Sequence, residues 1–154
     1  SVLPPNLLIP VNQATPASVY GPQYTGEVLA SSDNTINTFV SFDVPPLADS
    51  ASHCYLEWTA PSSGSFPSVL TGTKKVDYYA VTSEVSKDTL SWNTKPTRGK
   101  YLGTWDAETG VFSHSTVTCE FGKVQQFELA AHGEAEVEWF QEWNPLTGLN
   151  YVMV

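Results

Sequence analysis

Apolar and polar residues alternate along this chain with a period of two, in short runs separated by turn-forming residues. Val40, Phe42 and Val44 share one face against Ser41 and Asp43, and Cys54, Leu56 and Trp58 share one against Tyr55 and Glu57. Val76, Tyr78 and Ala80 alternate with Asp77 and Tyr79, Phe127 and Leu129 with Gln126 and Glu128, and Ala135, Val137 and Trp139 with Glu134, Glu136 and Glu138. Successive side chains of an extended strand point to opposite faces, so each run predicts a strand with one buried and one wet face. The closing stretch differs: Leu149, Tyr151 and Met153 face Asn150, Val152 and Val154, which predicts a strand covered on both faces.

Turn chemistry separates the runs at Ser31–Asn34, Val44–Pro46, Pro61–Ser65, Ala131–Gly133 and Trp143–Pro145. The weakest strand pattern lies between Thr82 and Tyr101, where Ser83 to Thr89 supports either loop or one helical turn. No internal repeat is visible, and the Pro61–Ser68 stretch is short enough for a surface loop. Short strands at this spacing predict an all-β fold, an antiparallel β-sandwich of jelly-roll-like form, with residues 1–154 as a single domain.

Composition agrees with that class. Hydrophobic residues make up 41% of the 154 and charged residues only 15%, with 10 Gly and 11 Pro, a balance that suits strands and turns better than charged amphipathic helices. Sixteen acidic against seven basic residues give a net charge of −9, which repels phosphate backbones and argues against a nucleic-acid partner. The absence of any run of eighteen apolar residues argues against a membrane-inserted helix. No basic-then-apolar leader opens the sequence, as expected of a processed secreted chain. Cys54 and Cys119 are the only cysteines, and the three histidines supply no zinc-type spacing; a disulfide or two separate buried thiols fit them.

Several segments together carry a family resemblance: Pro4-Pro-Asn-Leu-Leu-Ile-Pro-Val11, Tyr20-Gly-Pro-Gln-Tyr-Thr-Gly26, Thr38-Phe-Val-Ser-Phe-Asp-Val-Pro45, His53-Cys-Tyr-Leu56 and Phe140-Gln-Glu-Trp-Asn-Pro145. In this order they resemble the ubiquitin-three-binding-protein C-terminal domain family of secreted or cell-surface fungal proteins. The resemblance implies a β-sandwich with a cysteine at each of the positions of Cys54 and Cys119, and hence a disulfide between them. Glu142 stands where the family has an aspartate. A second, shorter stretch, Thr89-Leu-Ser-Trp-Asn-Thr-Lys-Pro96, is similar to a motif of jelly-roll carbohydrate-binding modules, which implies a glycan ligand.

The aromatic residues are the main functional signal, because glycan sites stack the apolar face of a sugar on flat rings while amides and carboxylates bond its hydroxyls. Trp92, Tyr101 and Trp105 lie in or beside apparent turns, and Trp143 and Asn144 lie beside Glu142; these six are the expected ligand-binding residues. For Trp92 and Trp105, capping the core from below their loops is the competing and somewhat favoured reading. Trp58 and Trp139 fall on apolar strand faces and are expected in the core. The comb of Glu134, Glu136 and Glu138 reads as a solvated face; as an alternative, Glu138 and Glu142 would supply the carboxylate pair of a cell-wall polysaccharide hydrolase. Asp106 and Glu108 form a weak pair for Ca²⁺, and no other cofactor is expected. The expectation is thus a secreted fungal, wall-associated glycan-binding domain without catalysis, with a hydrolase and a protein-interaction module as alternatives.

Overall fold

The computed structural model describes residues 1–46, 51–59, 69–108, 113–143 and 146–154. In chain order the strands are β1 (Val2–Leu3), β2 (Leu7–Asn12), β3 (Thr25–Ala30), β4 (Thr35–Asp43), β5 (Cys54–Thr59), β6 (Val69–Gly72), β7 (Lys75–Val81), β8 (Arg98–Asp106), β9 (Ser113–Val117), β10 (Val124–Ala131), β11 (Ala135–Phe140), β12 (Glu142–Trp143) and β13 (Leu146–Met153). No helix occurs among the described residues, so none is long and apolar enough to cross a membrane. One sheet runs β1-β13-β5-β9, with β12 beside β13; the other runs β6-β11-β3-β4-β10-β7-β8, with β2 beside β4. All these pairings are antiparallel.

The alternation read from the sequence decides which faces meet. Leu56, Trp58, Leu149, Tyr151 and Met153 from the first sheet pack against Val40, Phe42, Val76, Tyr78, Phe127, Leu129, Val137 and Trp139 from the second, all buried. Aromatic rings interlock across this interface: Trp58 meets Trp139 edge-on at 5.1 Å, and Phe42 meets Tyr151 at 5.4 Å. Such pairs add roughly 0.5–1.5 kcal/mol each beyond the area they bury. Gly26 is required by this packing, since a Cβ there would stand 2.2 Å from the Trp139 ring. The closing strand is covered on both faces as its pattern predicts, with Asn150 and Val152 as buried as Leu149 and Tyr151.

Cys54 and Cys119 form a disulfide across a sequence separation of 65. Closing a loop of that length stabilises the fold by about 4 kcal/mol in the chain-entropy account.

One face departs from the pattern. Gln126 and Glu128 alternate with core residues and should be wet, yet they are 9% and 1% exposed. Residues 82–97 account for this by folding as turns over the outer face of β10, β4 and β2. There Leu90 joins Ile9, Val11 and Phe39 in a second, smaller core, with Trp92 and Val85 packed against it. The segment is therefore loop rather than strand, and it works as a strap.

The buried Glu128 carboxylate fastens that strap. Lys95 Nζ lies 3.2 Å from Oε2, Arg98 Nε lies 3.7 Å from Oε1, and Asn37 Nδ2 donates to Oε2 at 2.9 Å. A carboxylate this deep is tolerated only when paired and hydrogen-bonded, and here both conditions are met.

Candidate functional site

Among the described side chains, Trp92, Tyr101 and Trp105 do not form one exposed platform. Trp105 is 4% exposed, because β8 continues through Asp106 and the register Val76↔Trp105 turns the indole inward. Its ring packs between Trp58 at 5.7 Å and Tyr78 at 5.4 Å, so Trp105 is a core residue, not a ligand contact. Trp92 is half-buried on the underside of the strap, with Lys95 Nζ 5.2 Å from its ring centroid. Tyr101 is 53% exposed and meets Tyr79 edge-on at 5.6 Å, while the Arg98 guanidinium covers the other ring at 4.2 Å. The Tyr101 hydroxyl bonds Thr104, which donates to Asp77; Asp77 Oδ1 also holds His132 Nδ1 at 2.9 Å.

Glu142 and Trp143 pair with β13 through Glu142↔Thr147 and Trp143↔Leu146, their side chains being outside the described residues, as is Asn144. Asp106 Oδ1 accepts the Glu108 backbone N–H at 2.8 Å, and Glu108 pairs with Lys74 at 3.5 Å. Both carboxylates of the weak Ca²⁺ pair thus have turn-stabilising or ion-pair roles.

A different aromatic pair borders the concave surface. Tyr20 and Tyr24 are 42% and 79% exposed and flank the turn Gly21-Pro22-Gln23, where Gly21 adopts φ 70°. That left-handed conformation favours glycine, and with Pro22 it carries the chain past the strands, leaving both rings outside the core. The turn is anchored by the Gln23 N–H donating to Leu8 O at 2.8 Å and by the Gln141 N–H donating to Tyr24 O at 3.0 Å. On one side a concavity of about 350 Å³ is bounded by Pro4, Pro5, Asn6, Pro22, Tyr24 and Gln141. On the other, one of about 190 Å³ is bounded by Pro10, Asn12, Tyr20 and Glu27. Gln23 borders both, so the two concavities are neighbours, two halves of a surface groove divided by that residue.

Polar atoms in this groove divide into fixed and free. Gln141 is fully engaged, accepting from Trp139 Nε1 at 3.2 Å and Leu149 N at 3.0 Å and donating to Thr147 O at 2.8 Å and Asn150 Oδ1 at 3.2 Å; it is wall, not contact. Asn6 Oδ1 accepts the Asp43 N–H at 2.6 Å, and among the described residues no hydrogen bond engages its amide nitrogen. Gln23 Nε2 donates to Tyr20 O at 3.1 Å, and among the described residues no hydrogen bond engages its side-chain carbonyl oxygen.

Acidic groups continue the surface beyond Tyr20. Glu27 alternates with buried Gly26 and Val28 on β3, and the β11–β3 register sets Glu138 opposite it. Carboxylate oxygens of Glu27, Glu136 and Glu138 lie within 4.8 Å of one another. Burial, then the charges of Glu138 and Glu136, hold the Glu27 carboxyl above its ordinary pKa. Glu138 and Glu136 were legible as a comb on one strand face; Glu27 was not, because strand pairing, not sequence proximity, brings it there.

Comparison with known proteins sets this surface in a family. A family model described as the ubiquitin 3 binding protein But2 C-terminal domain matches residues 3–145. The chain belongs to that family. Two But2-like proteins of Schizosaccharomyces pombe, both described as uncharacterized, are 28% and 26% identical to it over 144 residues, 90% of this chain. The chain spans only 37% and 30% of their lengths, so this But2 domain corresponds to one part of those longer proteins. The matched region includes the Tyr20–Tyr24 turn and all three clustered glutamates.

Proposed function

We propose that this But2 domain is a non-catalytic glycan-binding module of a secreted, wall-associated fungal protein, and that its sugar lies in the Tyr20–Gln23–Tyr24 groove. The observation carrying this reading is the pair of exposed tyrosines bordering two concavities that share Gln23. A tyrosine ring offers an apolar face to a pyranose, and the free amide groups of Asn6 and Gln23 can bond hydroxyls on either side. The disulfide supports an oxidising, extracellular setting, since such bonds are rare in reducing compartments. Binding is favoured over cleavage because Glu27 and Glu138 project side by side from paired strands, whereas a glycosidase places its carboxylates on either side of the scissile bond.

A second reading, a protein-docking groove, is favoured by the family description, which names a ubiquitin-3-binding protein. On that reading the proline-lined side would take an extended peptide.

Retention of the purified domain on insoluble β-glucan, mannan and chitin separates these readings. Retention is expected on at least one polymer, weakened about tenfold by Tyr24→Ala, as loss of one stacking contact predicts, and left unchanged by Trp92→Ala. Retention insensitive to Tyr20→Ala and Tyr24→Ala would contradict the groove. Release of soluble sugar would replace binding with hydrolysis, and no retention on any polymer would leave the docking reading.

A further inference from the structure

Resting on the glycan reading, we propose that the Tyr24 half of the groove receives the acetamido group of an N-acetylated sugar, so that the domain prefers 2-acetamido sugars to sugars with a hydroxyl at that position. The lining of that half carries the argument. Pro4, Pro5, Leu8, Pro22 and Tyr24 give it an apolar or aromatic surface, and its other three residues, Asn6, Gln23 and Gln141, are all amides. No charged side chain borders it, although the domain has a net charge of −9. A ligand group that matches this lining is neutral, part apolar and part amide. An ammonium or carboxylate would meet no counter-charge there.

The fold decides which edge of each amide is engaged. Asn6 is pinned to β4 twice, its backbone N–H donating to Ser41 O at 2.7 Å and its Oδ1 accepting the Asp43 N–H. The partner there is a donor, so the engaged atom is the oxygen and Nδ2 is the edge that remains, a donor. Gln23 is the reverse case. Its Nε2 donates to the Tyr20 carbonyl, and Oε1 remains as an acceptor. Gln141 has both edges occupied within the protein and serves as wall.

An acetamido group answers all three parts of this lining. Its carbonyl accepts from Asn6 Nδ2, its N–H donates to Gln23 Oε1, and its methyl lies on the proline and leucine surface. A hydroxyl can bond either amide but brings no apolar group to the prolines. Burial of one methyl and completion of one hydrogen bond together amount to about a tenfold gain in affinity. Tyr24, 79% exposed, supplies the ring against which the pyranose stacks, and the acetamido pocket supplies the preference among pyranoses.

The test is calorimetric titration of the 154-residue chain, at about pH 7, with the β-1,4-linked N-acetylglucosamine tetramer and with the β-1,4-linked glucose tetramer, which differ only in the 2-substituent. The acetylated tetramer is expected to bind about tenfold more tightly. Asn6→Asp keeps the oxygen that accepts the Asp43 N–H and removes the donor. A sugar hydroxyl can turn to donate to the new carboxylate, whereas an acetamide carbonyl cannot, so this variant is expected to lose most of the preference while retaining its affinity for the glucose tetramer. Tyr24→Ala is expected to weaken both ligands. Nuclear Overhauser contacts from the acetyl methyl to Pro4, Pro5 or Pro22 are expected in the parent complex. Equal affinities in the parent chain, a preference unchanged in Asn6→Asp with a native melting curve, or a bound acetyl methyl without contacts to those prolines would overturn the inference and leave the glycan reading standing, as would binding of neither tetramer with retention on another polysaccharide. Binding of neither tetramer and no retention on any polymer would overturn both.

Discussion

Glu27 is the residue whose surroundings do most to define the surface. Its carboxyl is held above the ordinary range by burial and by two neighbouring glutamates, so the native state binds this proton more tightly than the unfolded chain does. That contribution to stability is fully present below the unfolded carboxyl pKa of about 4.3 and is lost as pH rises through the higher folded value. Urea denaturation across this range should show Glu27→Gln removing part of the decline and raising stability at neutral pH; a variant with the parent's slope and midpoint would contradict the assignment. Little of this was legible at the residue scale. Of the two readings of Trp105 the core one holds, because β8 runs through that residue to Asp106 before the acidic turn begins. Tyr20 and Tyr24 lie outside any alternating run, and only the backbone path through Gly21 and Pro22 turns them to solvent.

Among the elements, the strap of residues 82–97 changes the fold's outer face most. Leu90 and Trp92 give it an apolar underside, but its polar anchor is Glu128, which bonds Lys95 within the strap and Arg98 where β8 begins. Glu128→Gln keeps the shape and removes the charge, leaving two cations without their shared partner. Lys95 is largely sheltered and Arg98 half-open, so solvent offsets part of the loss, and a destabilisation of about 2 kcal/mol is expected. Hydrogen exchange should accelerate in residues 82–97 while β4 and β10 stay protected; equal acceleration throughout would show that the strap has no independent stability. The strands themselves were legible, since β4, β5, β7, β10, β11 and β13 all follow the period-two pattern. Burial of Gln126 and Glu128 was not, because one strand's alternation carries no record of a distant segment folding across its polar side.

For the whole molecule, two antiparallel sheets enclose an aromatic-rich core and a disulfide joins Cys54 to Cys119, an architecture that alternation, turn chemistry and family resemblance had together indicated. Strand order was beyond reach: β11 lies beside β3, and β13 beside β5, through long-range register set by core packing. That order creates the groove, because it brings the N-terminal prolines, the Tyr20–Tyr24 turn and Gln141 together. On the proposed function, this groove rather than the Trp92–Tyr101 region contacts ligand. Amide chemical-shift mapping with a bound glycan oligomer tests it most directly. Shifts are expected to centre on Asn6, Tyr20, Gln23, Tyr24 and Glu27, with none at Trp92 or Tyr101. Shifts centred on Trp92 and Tyr101, with the Tyr20–Tyr24 turn unmoved, would contradict it.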